Sequence, residues 1–549
     1  MIGTSTAEWI FILLSISLLR AIAPLSIIYS ILWLFFPIAI VRKHPLPFLL
    51  KIYALTESAF FLFVYLPLRA RSQSAAVHPP LADRAAREAL FEECMQTLDD
   101  PETYLRKWFL DAPLHEIKRE NLREWVRWGF FSRNDVAANS LDEDEVEQYV
   151  VGLERKLGRT IEEGRGTAKS FRLTFDSVGM SHRPLVWYLV SLPRSPVFQF
   201  LISTLQLVFI VDVYTTTRLL YAGLTYHRLS FPRLLLTFPP QPLPLARHKS
   251  PSETLPYWFR PHTSTTTRPI VYIHGIGIGL YPYATLLADL AHADPSTGIL
   301  VFEIHPISAR ITQATASMPV LVAEIHRVLT AHNIRDCVLV ANSYGTAVAC
   351  NVLRSALFAT PARRPAVRAT STAFSKPHIA ALVLVDPISL LLHQPAVAYN
   401  FVKRAPRRAN EHQLHYFASS DMCVAHTLSR HFFWTENIVW KRDLMARFGG
   451  PVCVCLAGRD LIVDAGGVWK YLTGRSRAES VGRDRDVYQE GYLRVLWFED
   501  RDHAQVFDYK GCRRAIESVV REYCGISRHG IENDNNTNNN TNADHVSNP

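Results

Sequence analysis

The chain has 549 residues, 48% of them hydrophobic, and a formal net charge of +9; its pI is about 9.1 and its mean hydropathy +0.04. That length exceeds one ordinary core, so a catalytic domain plus a second region is expected. Lys and Arg are scattered rather than massed and no nucleic-acid-binding motif appears, so nucleic acid is not an expected partner. None of the eight cysteines stands in a CxxC or His/Cys ligand spacing, and neither a metal nor another cofactor is expected.

The first predicted element is a membrane anchor. Within Trp9–Val41, the stretch Ala21–Val41 is uncharged and matches the ~20 residues that a spanning helix needs. Pro24 and Pro37 are tolerated in lipid, and the run is too long for a cleaved signal peptide. Arg42, Lys43 and His44 follow it, so the positive-inside rule places what comes next in the cytoplasm. Phe48–Leu68 carries Lys51 and Glu57 and reads as an interfacial segment or a second span. Val197–Val211, short and closed by Asp212, is a third candidate. Residues 1–70 are therefore assigned to anchoring, and the number of spans decides the side of the rest. The expectation is a cytoplasmic catalytic domain on a membrane such as the endoplasmic reticulum or a lipid droplet.

Residues 71–230 read as helical. In Tyr104–Phe131, apolar residues including Trp108, Leu122, Trp125 and Trp128 recur at helical spacing among Arg, Lys and Glu. Such stripes more often pack on a core than face lipid. Residues 231–267 are Pro-rich and are predicted to be a linker. The Asn-rich tail, 527–549, is predicted to be disordered; it holds N-glycosylation acceptor patterns at Asn535 and Asn539.

From Arg268 strands and helices alternate. The strand Pro269–Ile273 runs into His274-Gly275-Ile276-Gly277-Ile278-Gly279, a turn whose backbone N–H groups can face a developing negative charge. Gly275 and Ile276 are the candidate oxyanion donors there. A nucleotide-binding fingerprint is the weaker reading, because no acidic residue ends the next strand, Ile299–His305. Cys337–Ala341 leads through Asn342-Ser343-Tyr344-Gly345 into a helix at Thr346–Phe358. This strand–turn–helix is the setting of a nucleophile elbow, with small residues Ala341 and Gly345 on either side and the Tyr344 N–H as a further oxyanion donor. Three more strands end near charged groups: Ile379–Val385 before Asp386-Pro387, Pro451–Leu456 before Gly458-Arg459-Asp460, and Tyr492–Phe498 before Asp502-His503. Groups just past strand C-termini are where α/β sheets hold their sites. The candidates are Ser343 as nucleophile, His503 as base and Asp460 as acid, with Asp386 as the alternative acid or else a helix N-cap.

Taken together, His274-Gly275, Ala341–Gly345, Gly458–Asp460 and Asp502–Gln505 resemble the α/β-hydrolase superfamily of serine esterases and lipases over about residues 268–526. The resemblance implies a mostly parallel central sheet flanked by helices, and a cap or lid at about 387–448, the long insert between two strands. Phe401, Phe417, Phe432 and Trp434, with Arg404, Arg407 and Arg408 between them, suit a lipophilic acyl substrate. The expected function is hydrolysis of a lipid or other lipophilic carboxylic ester through an acyl-enzyme. Transfer of the acyl group to an alcohol and a catalytically silent binding protein are the alternatives. Acyl chain, head group and oligomeric state are not legible.

Overall fold

The computed structural model describes residues 2–36, 46–133, 140–188, 207–239, 246–357, 378–477 and 485–525. Its strands are β1 (Thr225–Arg228), β2 (His248–Lys249), β3 (Tyr257–Arg260), β4 (Ile270–Ile273), β5 (Ile299–Phe302), β6 (Asp336–Asn342), β7 (His378–Val385), β8 (Val452–Ala457), β9 (Arg485–Glu490) and β10 (Leu493–Phe498). They form one sheet in the order β2-β1-β3-β5-β4-β6-β7-β8-β10-β9. The run from β5 to β10 is parallel, while β3 and β9 pair antiparallel at its two sides. This is the α/β-hydrolase fold.

The parallel strands are nearly continuous apolar runs because both faces of the sheet are covered. Alternate residues enter different cores: Val271, Ile273, Leu339 and Ala341 face one layer, and Ile270, Tyr272, Val338 and Val340 face the other. The first layer contains more than the hydrolase helices. Helices α3 (Arg84–Gln96), α4 (Pro101–Trp108), α5 (Arg119–Phe131) and α6 (Ser140–Leu157) contribute Phe91, Trp108, Trp125 and Tyr149 to the same cluster. The amphipathic stripe of residues 104–131 therefore packs on the sheet domain.

Before them stand two apolar helices, α1 (Thr6–Phe35) and α2 (Phe48–Ser72), each long and apolar enough to cross a membrane. The buried residues of α1 are Ile12, Ile16, Leu19, Ala23, Ser26 and Ser30, a seam at alternating spacings of four and three. Its first half packs on Ala409 and Tyr416 of the insert. Its second half meets α2 through small residues, with Ser30 Oγ 2.9 Å from Ser58 Oγ. Small residues let helices in lipid approach closely. Glu57 of α2, fully buried, accepts the Leu185 N–H at 2.6 Å and the Tyr53 hydroxyl at 2.9 Å. Its carboxyl group therefore faces protein.

One expectation needs correction. Residues 231–267 are not simply a linker, because β2 and β3 lie within them and, with β1 just before, extend the sheet. Those strands are short and lack a long apolar run, so periodicity does not announce them. The third membrane candidate falls mostly on residues 197–206, outside the described residues. The helix α7 that follows (Leu207–Tyr221) buries Val211 and anchors Asp212 to the buried Arg310 at 2.5 Å. The predicted disordered tail also lies outside the described residues.

Candidate active site

The C-terminal ends of β4, β6, β7, β8 and β10 converge on one place. Ser343 occupies the turn between β6 and helix α8 (Tyr344–Leu357) with φ +51°. That left-handed conformation costs a non-glycine residue roughly 1–2 kcal/mol. The Ser343 N–H donates to Val385 O at 3.0 Å, which ties the turn to β7. Gly345 permits the close approach behind it: a Cβ there would stand 2.4 Å from Ile273 O.

Ser343 Oγ lies 2.8 Å from His503 Nε2, and His503 Nδ1 lies 2.7 Å from Asp460 Oδ2. The other Asp460 oxygen accepts the N–H groups of Ile462 and Val463 at 2.7 and 2.8 Å, which aims the carboxylate at the imidazole. Burial by itself would lower the His503 pKa. The neighbouring carboxylate of Asp460, which is also its hydrogen-bond partner, with Asp386 and Asp502 beyond, outweighs burial and raises it to about 9.

Asp386 sits close by but does a different job. Its two oxygens accept the N–H of Ala457 at 3.0 Å and of Ala504 at 2.7 Å, linking the ends of β8 and β10. It caps no helix, since the chain after it turns irregularly. Burial, followed by the charge of Asp460, pushes its carboxyl well above the ordinary range. Ligand atoms of Asp386, Asp460 and His503 lie within 4.8 Å of one another. His503 bonds to Asp460 and Ser343, while Asp386, among the described residues, accepts only backbone N–H groups.

The oxyanion expectation changes in one member. The Gly275 N–H donates to Tyr283 Oη at 3.2 Å, and that hydroxyl donates to Asn342 Oδ1 at 2.7 Å. Gly275 is thus engaged, and its value is steric: a Cβ would come within 2.8 Å of Ser343 Cβ. Among the described residues no hydrogen bond engages the N–H of Ile276 or of Tyr344, which leaves those two beside Ser343. His274 holds this loop from behind, donating from Nδ1 to Gly275 O at 2.7 Å and accepting the Ile304 N–H at 2.9 Å. Burial pushes its pKa down to about 4, so it is neutral.

Sequence reasoning missed two features. Asp502 accepts the Leu461 N–H and the Asn410 amide, both at 2.9 Å, binding the acid loop to the insert. Beside Ser343 opens a narrow cavity of about 80 Å³ with mostly apolar walls, including Ile276, Ile388, Leu392 and Phe432. Trp108, Trp128 and Gly129 of the N-terminal helices line it too. Nothing local ties a residue at 128 to one at 343, so no sequence signal announces this contact.

No protein-family model and no curated protein matches the chain. Among solved structures it is similar to a membrane phospholipase A described as a bacterial virulence factor, at 13% identity over 60% of this chain and 96% of that one, with a TM-score of 0.34. It is also similar to a carboxylesterase from the thaumarchaeon Nitrososphaera gargenis, at 16% identity over 50% and 97%, TM-score 0.32. A third is the 2-hydroxy-6-oxo-6-phenylhexa-2,4-dienoate hydrolase of Rhodococcus sp. strain RHA1, at 13% identity over 49% and 95%, TM-score 0.32.

Proposed function

We propose that the protein is a membrane-anchored serine hydrolase acting on carboxylic esters with a lipophilic acyl group. The observation that carries this reading is the continuous hydrogen-bonded line Asp460–His503–Ser343. His503 takes the Ser343 proton as Oγ attacks the ester carbonyl, and Asp460 holds the tautomer and stabilises the imidazolium. The Ile276 and Tyr344 N–H groups receive the oxyanion. The alkoxide leaves with the proton from His503, and water then enters by the same route to release the acid. A fluorophosphonate probe should label the wild type and not Ser343→Ala; labelling of that variant would overturn the assignment.

The anchor in this reading is a helical hairpin. Support comes from contacts at both of its ends. Ile2 donates its N–H to Gln413 of the insert at 2.9 Å, and α2 returns to the same body at Glu57. Between these points Leu25, Ile28, Leu34, Phe35 and Phe48 are more than half exposed, the surface expected of helices in lipid. Ile2 and the hydrolase domain then share one side of the membrane. The cytoplasmic expectation rests on one span or on three, and this reading has two. Arg42, Lys43 and His44 lie in sequence between the two helices; if that connection is cytoplasmic, the hydrolase domain lies opposite. Glycosylation at Asn535 and Asn539 after expression in a eukaryotic host would report that side; an unmodified tail accessible to cytosolic protease would report the other.

A further inference from the structure

The cavity beside Ser343 contains an oddity in helix α5. Glycine is among the poorest residues for a helix interior, yet Gly129 stands two residues before the end of Arg119–Phe131 and is buried. Packing explains the comparable glycine in α6: a Cβ on Gly152 would press to 2.8 Å from the Phe91 ring. At Gly129 a Cβ would meet nothing beyond its own helix turn within 4 Å. Close-packed interiors hold few voids larger than a water molecule. The room left by the missing side chain belongs to the cavity that Gly129 lines with Ser343.

The surrounding wall is pinned. Trp434 Nε1 donates to Gly129 O at 3.0 Å, and Trp128 Nε1 donates to Thr174 Oγ1 at 2.9 Å. Trp108 is held among Trp125, Trp128 and Phe171, with centroids 4.6–6.0 Å apart. Rings fixed in this way cannot easily collapse into the space or yield to a larger side chain.

We infer that helix α5 forms a wall of the acyl-binding site and that Gly129 is a specificity-determining residue, leaving the space through which an unbranched hydrocarbon chain passes. The N-terminal region is then part of the substrate site as well as of the anchor. This rests on the serine-hydrolase reading for its acyl group, but the cavity can be tested without it.

The test uses the full-length protein in digitonin with p-nitrophenyl esters from acetate to palmitate. Gly129→Ala should fold at least as well as the wild type, with Tm raised by about 2 °C from the better helix residue. It should nevertheless lower kcat/KM for laurate and palmitate by about 10-fold, the scale of one methyl group in an apolar pocket. Gly129→Leu should lower it further, and in both variants the loss should grow with chain length from acetate to palmitate. Equal loss at every chain length, or none, would overturn the inference. Lauric acid supplies a readout independent of turnover: it should raise the Tm of wild type and not of Gly129→Leu. A Tm rise retained in that variant would overturn the inference even if no ester were hydrolysed, whereas absence of ester hydrolysis together with a lost Tm rise would reject the enzyme reading alone.

Discussion

The sheet strands and the two N-terminal helices draw on the same apolar alphabet and meet opposite fates. Leu339 and Val340 of β6 are buried on both faces of the sheet, whereas Leu25 and Phe35 of α1 are 64% and 72% exposed. In the central parallel strands nearly every side chain is buried, so each contributes to packing. In α1 only one seam does, and the remaining surface needs a solvent that is itself apolar. Apolar content therefore marks what leaves water. Whether the destination is core or lipid depends on how many faces of the element find partners.

The comparison predicts that damage to the two regions separates cleanly. The largest effect belongs to the sheet end. Asp460→Asn should lower kcat by about 10⁴-fold, by disturbing the imidazole tautomer that the carboxylate sets, with membrane partition unchanged in a flotation assay. If partition also fell, site and hairpin would be less independent than their contacts imply.

Next comes stability. Leu339→Ala removes a side chain packed on all sides and should cost about 2–5 kcal/mol in denaturant unfolding. Leu25→Ala should stay within about 0.5 kcal/mol in detergent. Equal losses would mean that the exposed surface of α1 is covered by protein.

The smallest of the three is a pH effect at the site. With the His503 pKa raised to about 9, the neutral base is scarce near neutrality. The kcat/KM profile should therefore climb about tenfold per pH unit toward a plateau above pH 9. The sign for stability is the reverse. A histidine with its folded pKa above the unfolded ~6.5 contributes fully below pH 6.5 and loses that contribution as pH rises through about 9. A plateau already reached at pH 7 would contradict the charge environment drawn around His503.

Much of the site was legible because its signals are local. Ser343 needs a strand before it, a helix after it and small residues on each side, all within about ten positions. His503 and Asp460 each follow an apolar strand directly. The choice between Asp460 and Asp386 was not local, since both stand just past a strand in the same sheet. It turned on which carboxylate reaches His503 Nδ1 and which is held by the Ala457 and Ala504 N–H groups. Gly275 looked like a donor for the same reason that the motif is short: the phenol that takes its N–H comes from Tyr283, on another turn.

The sequence by itself determined the elements that depend on neighbours along the chain: the parallel strands, the elbow with its Ser, Asp and His order, and the apolar N-terminal helices. Only the tertiary structure decided the seam that separates the buried face of α1 from its exposed surface, the short strands β1–β3 that extend the sheet, and the closing of the Ser343 cavity by Trp108, Trp128 and Gly129. Each of these is a contact between residues far apart in the chain. Periodicity reports that a face is apolar, and packing alone names what that face meets.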